Sequence, residues 1–246
     1  PSKQIYCSGD SILLDAKIGA GYNNPVYQWQ FSSDGGTTWQ DIPGATAEDL
    51  KLNTLTTAQA GKYRLILAES GNINLTKCRI ITDNIGITIK QSPVVKATAA
   101  PPVICKGQTS TLTGSGTTTY TWSNGASGSS IQVNPIATQS FTVVGKDLLT
   151  GCTSKATATV TVNTVPDSPT IVGPDSICSG NAATLTATAP GGIYNWYDTA
   201  TGGTPIFTGD LYNTPILTNS KTYYVETVSP AACASYVRTP ATVIVH

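Results

Sequence analysis

Four sequence markers recur three times in the same order along this chain, and that repetition narrows the fold more than any other feature. The first is C-x-G-x-x-x-x-L: Cys7-Ser8-Gly9 to Leu14, Cys105-Lys106-Gly107 to Leu112, and Cys178-Ser179-Gly180 to Leu185. The second is Tyr-x-Trp, at Tyr27–Trp29, Tyr120–Trp122 and Tyr194–Trp196. The third is an aromatic residue opening a late apolar stretch: Tyr63, Phe141 and Tyr223. The fourth is a second cysteine shortly afterwards: Cys78, Cys152 and Cys233. An alternating stretch then closes each unit. Three homologous units fit into 246 residues, so each must be a small fold complete in roughly 75–90 residues, within the usual domain range.

Those units read as all-β. Ala156 to Val162 and Ala183 to Ala189 alternate threonine with apolar residues, the period of a half-buried strand. The chain holds 39 threonines, and β-branched side chains suit a pleated surface. Turn signals separate the strands at Asp34-Gly35-Gly36, Asn124-Gly125, Pro190-Gly191-Gly192 and Thr201-Gly202-Gly203. Six or seven short strands per unit predict an all-β fold of three tandem immunoglobulin-like β-sandwich domains. Trp29, Trp122 and Trp196 belong in their cores, with Tyr63, Phe141 and Tyr223 beside them, and Ala60-Gly61-Lys62-Tyr63 has the form of a tyrosine corner. Proline-bearing linkers set the boundaries: domains over 1–91, 92–164 and 165–246. Short linkers containing proline are semi-rigid, so an elongated arrangement is expected.

The six cysteines form no C-x-x-C pair and have no histidine nearby. They read as disulfides rather than a zinc site, in an oxidising compartment outside the cytoplasm. The repeat pairs Cys7–Cys78, Cys105–Cys152 and Cys178–Cys233, one intradomain bridge each. That pairing meets a geometric difficulty. The first cysteine precedes the second strand and the second follows the sixth, and opposite ends of such a sandwich lie about 20–25 Å apart. Either the first strand bends back or the last hairpin folds down.

Formal net charge is zero and charged residues make up 11% of the chain, without basic runs, which argues against nucleic-acid binding. No apolar run approaches the roughly 20 residues needed to span a bilayer. The only histidine is His246, which reads as the stub of a purification tag, so histidine-dependent nucleophilic sites are not expected. The chain is expected to be no enzyme and to use no metal or cofactor. It opens at Pro1 and holds no Met, which reads as a segment of a longer protein. Trp39, Tyr197 and Tyr212 are the candidates for stacking against a ligand such as a sugar ring.

The third unit runs Cys178-Ser179-Gly180, Tyr194-Asn195-Trp196-Tyr197, Thr201-Gly202-Gly203, Thr222-Tyr223-Tyr224-Val225-Glu226, Cys233 and Arg238-Thr239-Pro240. It closely resembles the Ig-like domains of large surface and secreted Bacteroidetes proteins, among them gliding-motility adhesins and modular enzymes exported by type IX secretion. The first unit, with Ser33-Asp34-Gly35-Gly36, Thr38-Trp39 and Ile42-Pro43-Gly44-Ala45, resembles another Ig-like variety of those proteins. It has Leu65 where the antibody pattern has a cysteine. The resemblance implies an extracellular or cell-surface location and a structural or adhesive role. It implies as partners other domains of the same long chain, surface glycans or envelope proteins. Alternatives are carbohydrate-binding or accessory modules of a secreted hydrolase, or an interaction platform in an outer-membrane assembly. It also implies O-glycosylation at Asp-Ser/Thr motifs, here Ser11, Ser176 and Thr199.

Overall fold

The computed structural model describes residues 4–19 and 21–246. It contains strands and one short 3-10 turn, Thr57–Gln59, with no α-helix among the described residues. Three modules follow one another, each built from two sheets. In the first module the larger sheet orders an opening strand Gln4–Cys7, a closing strand Ile85–Lys90, a long strand Gly61–Glu69 and a tryptophan strand Pro25–Ser32, with Gln40–Asp41 at the edge. The middle module repeats that order with Val103–Cys105, Thr153–Asn163, Gln139–Lys146 and Thr119–Trp122. The third does so with Ser176–Ile177, Thr239–Val245, Lys221–Val228 and Ile193–Tyr197, edged by Phe207–Thr208. The second sheets are Ile12–Leu14 with Leu50–Leu52; Lys96–Ala100, Ser110–Ser115 and Ser130–Val133; and Thr170–Val172, Thr184–Thr188 and Leu211–Asn213. This is the immunoglobulin-like sandwich.

By contact density the chain also divides into two compact units. One comprises Pro1–Ala97, Thr113–Ser130 and Thr142–Thr157; the other comprises Thr98–Leu112, Ile131–Phe141 and Ala158–His246. Each unit thus holds one end module and part of the middle one.

Alternation forms the cores. Along Thr153–Asn163, Ala158 and Val160 are buried while Thr157, Thr159 and Thr161 face solvent. The three tryptophans of the repeat and the aromatic residues that open its late strands are buried: Trp29, Trp122, Trp196, Tyr63, Phe141 and Tyr223. A buried indole N–H needs an acceptor, and each tryptophan finds a backbone carbonyl on the following connection: Ala47 at 3.1 Å, Gly128 at 3.0 Å and Gly209 at 3.0 Å. The tyrosine two residues earlier lies on the same strand face. Tyr120 donates to the Thr117 carbonyl at 2.7 Å, and Tyr194 to that of Ala189 at 2.7 Å. Each ties down the turn leading into its strand.

The opening strand pairs parallel to the closing strand in every module. Both therefore run from the module's N-terminal pole to its C-terminal pole. The long strand is antiparallel to the closing strand, as in the Lys221↔Val243 to Val225↔Thr239 ladder, so the turn between those two strands sits at the N-terminal pole.

The tyrosine corner is present: the Tyr63 hydroxyl donates to the Gln59 carbonyl at 2.8 Å, and burial pushes its pKa up to about 12. Tyr63→Phe removes one partly buried hydrogen bond, so the first module should lose about 1 kcal/mol below pH 10. The raised pKa makes Tyr63's stabilising contribution complete below its unfolded value of 10 and lost as pH rises towards about 12. The gap between parent and variant in urea unfolding should therefore narrow across that window; a gap that stays constant would sink this account.

Candidate functional site

The strand directions place the cysteines. Cys7 and Cys105 end their opening strands, opposite Lys90 and Asn163 at the ends of the closing strands. Cys178 directly follows Ile177, which pairs with Val245. The next amide donates to the end of the closing strand each time: Ser8 to Lys90 at 2.8 Å, Lys106 to Asn163 at 2.9 Å and Ser179 to His246 at 2.9 Å. The chain then turns back through a glycine with positive φ, +93° at Gly9, +94° at Gly107 and +87° at Gly180, a conformation that favours glycine. All three first cysteines thus stand at the C-terminal pole of their modules.

The second cysteines occupy the other pole. Cys152 closes a turn in which its carbonyl accepts from the Asp147 amide at 2.9 Å. Cys233 does the same with the Ser229 amide at 2.8 Å. Cys78 likewise lies between the long strand and Arg79, whose strand folds back on it through the Ala68↔Arg79 pair.

The bridges formed are Cys7–Cys152 and Cys105–Cys233, each with Cα atoms 5.7 Å apart, while Cys78 and Cys178 are free and exposed. This corrects the expected intradomain pairs Cys7–Cys78, Cys105–Cys152 and Cys178–Cys233. Within a module the two cysteines sit at opposite poles. A seven-residue strand such as Thr239–Val245 spans about 20 Å, whereas a disulfide needs Cα atoms within about 7 Å. Neither the bent first strand nor the folded hairpin occurs. Cys7 and Cys105 instead bond the second cysteine of the next module. One bridge lies in each contact-defined unit.

Short contacts reinforce both links. In the first, Ser92 in the linker donates through its amide to Ser8 Oγ at 2.8 Å and through its hydroxyl to the Ser8 carbonyl at 2.7 Å. In the second, the Tyr236 hydroxyl donates to the Lys106 carbonyl at 3.3 Å. Cys152 and Cys233 are fully buried.

Two of the three ligand-stacking candidates, Tyr212 and Tyr197, are corrected as well. Tyr212 is buried in the core, stacked on Trp196 with centroids 5.3 Å apart and edge-on to Tyr223 at 5.1 Å. Tyr197 points to the outer face yet is only 5% exposed. The Arg238 guanidinium lies 3.2 Å from its ring centroid, and its hydroxyl donates to Glu226 at 2.6 Å. Burial and that carboxylate raise its pKa. Arg238 also pairs with Glu226 and donates to the carbonyls of Thr199 and Gly202, so this cluster braces a turn. Trp39 is half-buried, with Arg64 4.1 Å from the ring centroid and its own N–H on the Gly36 carbonyl. Tyr212 and Tyr197 are thus buried, whereas Trp39 keeps part of its ring exposed. Asp34 serves its loop: Thr38, Ser32 and Thr37 donate to its carboxylate and hold its pKa well below the usual range. Ser11, Ser176 and Thr199 are exposed. Among the described residues no group of three His, Cys, Asp or Glu side chains is placed to hold a metal, and no helix is long and apolar enough to cross a membrane.

Residues 166–246 match the family described as Ig-like domain CHU_C associated. Residues 1–90 match a domain of unknown function, DUF8696. No curated protein matches the chain. Among solved structures it is similar to domains A168–A170 of titin, at 17% identity and TM-score 0.38, covering 99% of this chain and 96% of that one. It is similar to three N-terminal domains of the highly immunogenic outer capsid protein of bacteriophage RB49, at 13% identity and TM-score 0.37, with the same coverages. The N-terminal eight Ig domains of Down syndrome cell adhesion molecule align at 15% identity and TM-score 0.29; this chain, covered to 99%, spans 40% of that one.

Proteolysis without reduction should yield peptides joined through Cys7–Cys152 and Cys105–Cys233, with Cys78 and Cys178 alkylated beforehand. A Cys105–Cys152 peptide would restore the intradomain pairing and overturn this arrangement.

Proposed function

We propose that this chain is a non-catalytic structural segment of a large bacterial cell-surface protein, in which Ig-like modules act as disulfide-linked spacers that hold a more distal adhesive or interacting part away from the envelope. The observation that carries the reading is that both bridges join consecutive modules instead of stapling single ones. A bridge within a domain serves that domain's stability. A bridge across a linker serves the connection between domains, which is what a spacer under tension needs. The gliding-adhesin and type IX secretion setting belongs to this proposal, supported by the Bacteroidetes resemblance and by the family matched over residues 166–246. So does O-glycosylation at Ser11, Ser176 and Thr199, whose exposure leaves them accessible to a transferase.

The mechanical consequence is definite. With both bridges closed, the shortest covalent route from Pro1 to His246 runs to Cys7, crosses to Cys152, returns to Cys105 and crosses to Cys233. It comprises 6, 47 and 13 residue steps, 66 in all, against 245 along the open backbone. Fully stretched, these routes measure about 230 Å and about 850 Å. Single-molecule pulling from the termini should stop near the shorter length under oxidising conditions and reach the longer one after reductant is added. Full extension of the oxidised chain would remove the mechanical reading. Labelling intact source cells with a membrane-impermeant amine reagent tests the location: failure to label the protein would remove the surface reading.

A further inference from the structure

The two free cysteines occupy the two unfilled places of a pattern that the other four cysteines define. Cys178 stands where Cys7 and Cys105 stand. It follows an opening strand paired parallel to a closing strand, the next amide is bonded to the carbonyl of the residue just after the closing strand, and a positive-φ glycine turns the chain. Both of its counterparts are bonded to the following module. Cys78 stands where Cys152 and Cys233 stand, in the turn after the long strand and immediately before the segment that folds back on it. Both of its counterparts are bonded to the preceding module. Cys78 and Cys178 are exposed, whereas Cys152 and Cys233, the two bonded turn cysteines, are fully buried. Burial of a turn cysteine thus accompanies docking against a neighbour's C-terminal pole.

We infer that Cys78 and Cys178 are intermodule bridging sites, and that their partners are further modules of this same architecture. Cys78 takes the opening-strand cysteine of a module on its N-terminal side. Cys178 takes the turn cysteine of a module on its C-terminal side. A small-molecule thiol or a metal fits the pattern less well, because each repeat equivalent is filled by a protein cysteine brought in by the next pole. The linkage is an ordinary two-electron oxidation. One thiolate attacks the S–S bond of a small-molecule disulfide such as oxidised glutathione and releases one glutathione thiol. The second cysteine's thiolate displaces the other glutathione from the mixed disulfide. The new protein S–S bond forms, two glutathione thiols leave, and the two cysteine protons are taken up by solvent or glutathione.

Two extended chains test this, both refolded with oxidised and reduced glutathione and mapped by proteolysis without reduction. The first adds a second copy of residues 91–163 after His246. It should yield a peptide joining Cys178 to the Cys152 equivalent of the added copy, and alkylation of Cys178 should fall from complete to trace. Replacing that added cysteine by serine should leave Cys178 fully alkylated. The second adds residues 164–175 followed by a copy of residues 4–90, so that Cys178 meets the Cys78 equivalent. A Cys178–Cys78 peptide supports the inference for both sites. Thermal unfolding reports in each case whether the added module is folded. A folded added module with Cys178 still alkylated, or with its own two cysteines bonded to each other, overturns the inference. The spacer reading is separable, because pulling on the 246-residue chain depends on the two existing bridges and not on Cys78 or Cys178.

Discussion

The parallel ladder between each opening strand and its closing strand is the constraint on which the rest depends. It fixes the first cysteine opposite the last residue of the same module, Cys7 opposite Lys90 and Cys105 opposite Asn163. A cysteine at the start of a module's sequence therefore stands where that module's chain leaves. The antiparallel ladder between long and closing strands sends the second cysteine to the pole where the chain arrives. Strand direction alone makes the thiols of consecutive modules neighbours and keeps those of one module apart. The glycine after each first cysteine lets the chain turn back into the second sheet without displacing the thiol from the pole.

The bridges act on a chain whose end modules have cores of their own. The first is built on Trp29, Leu14 and Leu65, the third on Trp196, Leu185 and Val225. Sequence separations of 145 and 128 residues would each restrict a wholly unfolded chain by about 5 kcal/mol in the chain-entropy model, whose basis is disputed. That limit applies only when everything inside the loop unfolds together. A single module unfolding alone gains much less, since its folded neighbour already restricts the loop. The bridges therefore couple modules more than they stabilise any one of them. Their loops overlap from Cys105 to Cys152, so the middle module is held at both poles.

The module repeat, the strand alternation, the buried tryptophans and the tyrosine corner were legible because each is a local pattern whose period or spacing maps directly onto a sheet. The disulfide pairing was not. Repetition suggested that what recurs within a unit is bonded within it, yet a pattern repeated in tandem is equally consistent with a bond from each unit to the next. The readable signal was the mismatch between a disulfide's reach and the length of a sandwich. Resolving it needed the parallel sense of the opening strand, which no residue type announces. Tyr197 and Tyr212 show the complementary limit. Tyr197 follows the buried Trp196 by one residue and so faces outward, but its burial comes from Arg238, a partner 41 positions away. Tyr212 is buried because its strand, Leu211–Asn213, pairs with Thr184–Thr188 and brings its ring onto Trp196, a long-range pairing that no local pattern marks.

What fills the place of the missing core bridge explains how the cysteines became free for this use. In an antibody domain two cysteines face each other through the core, the second two residues after the tyrosine of the corner. Here the residues two positions after Tyr63, Phe141 and Tyr223 are Leu65, Val143 and Val225, all fully buried. Leu14, Leu112 and Leu185 on the second sheets are buried too, and Leu14 with Leu65 and Leu185 with Val225 share a cluster. Burying an aliphatic side chain of this size contributes about 1.5–3 kcal/mol, comparable with what one disulfide adds to a small domain. The sandwich is thus closed by apolar packing around its tryptophan, and a covalent bond is not needed at its centre. The cysteines stand at the poles, where Cys7–Cys152 and Cys105–Cys233 each join one module to the next.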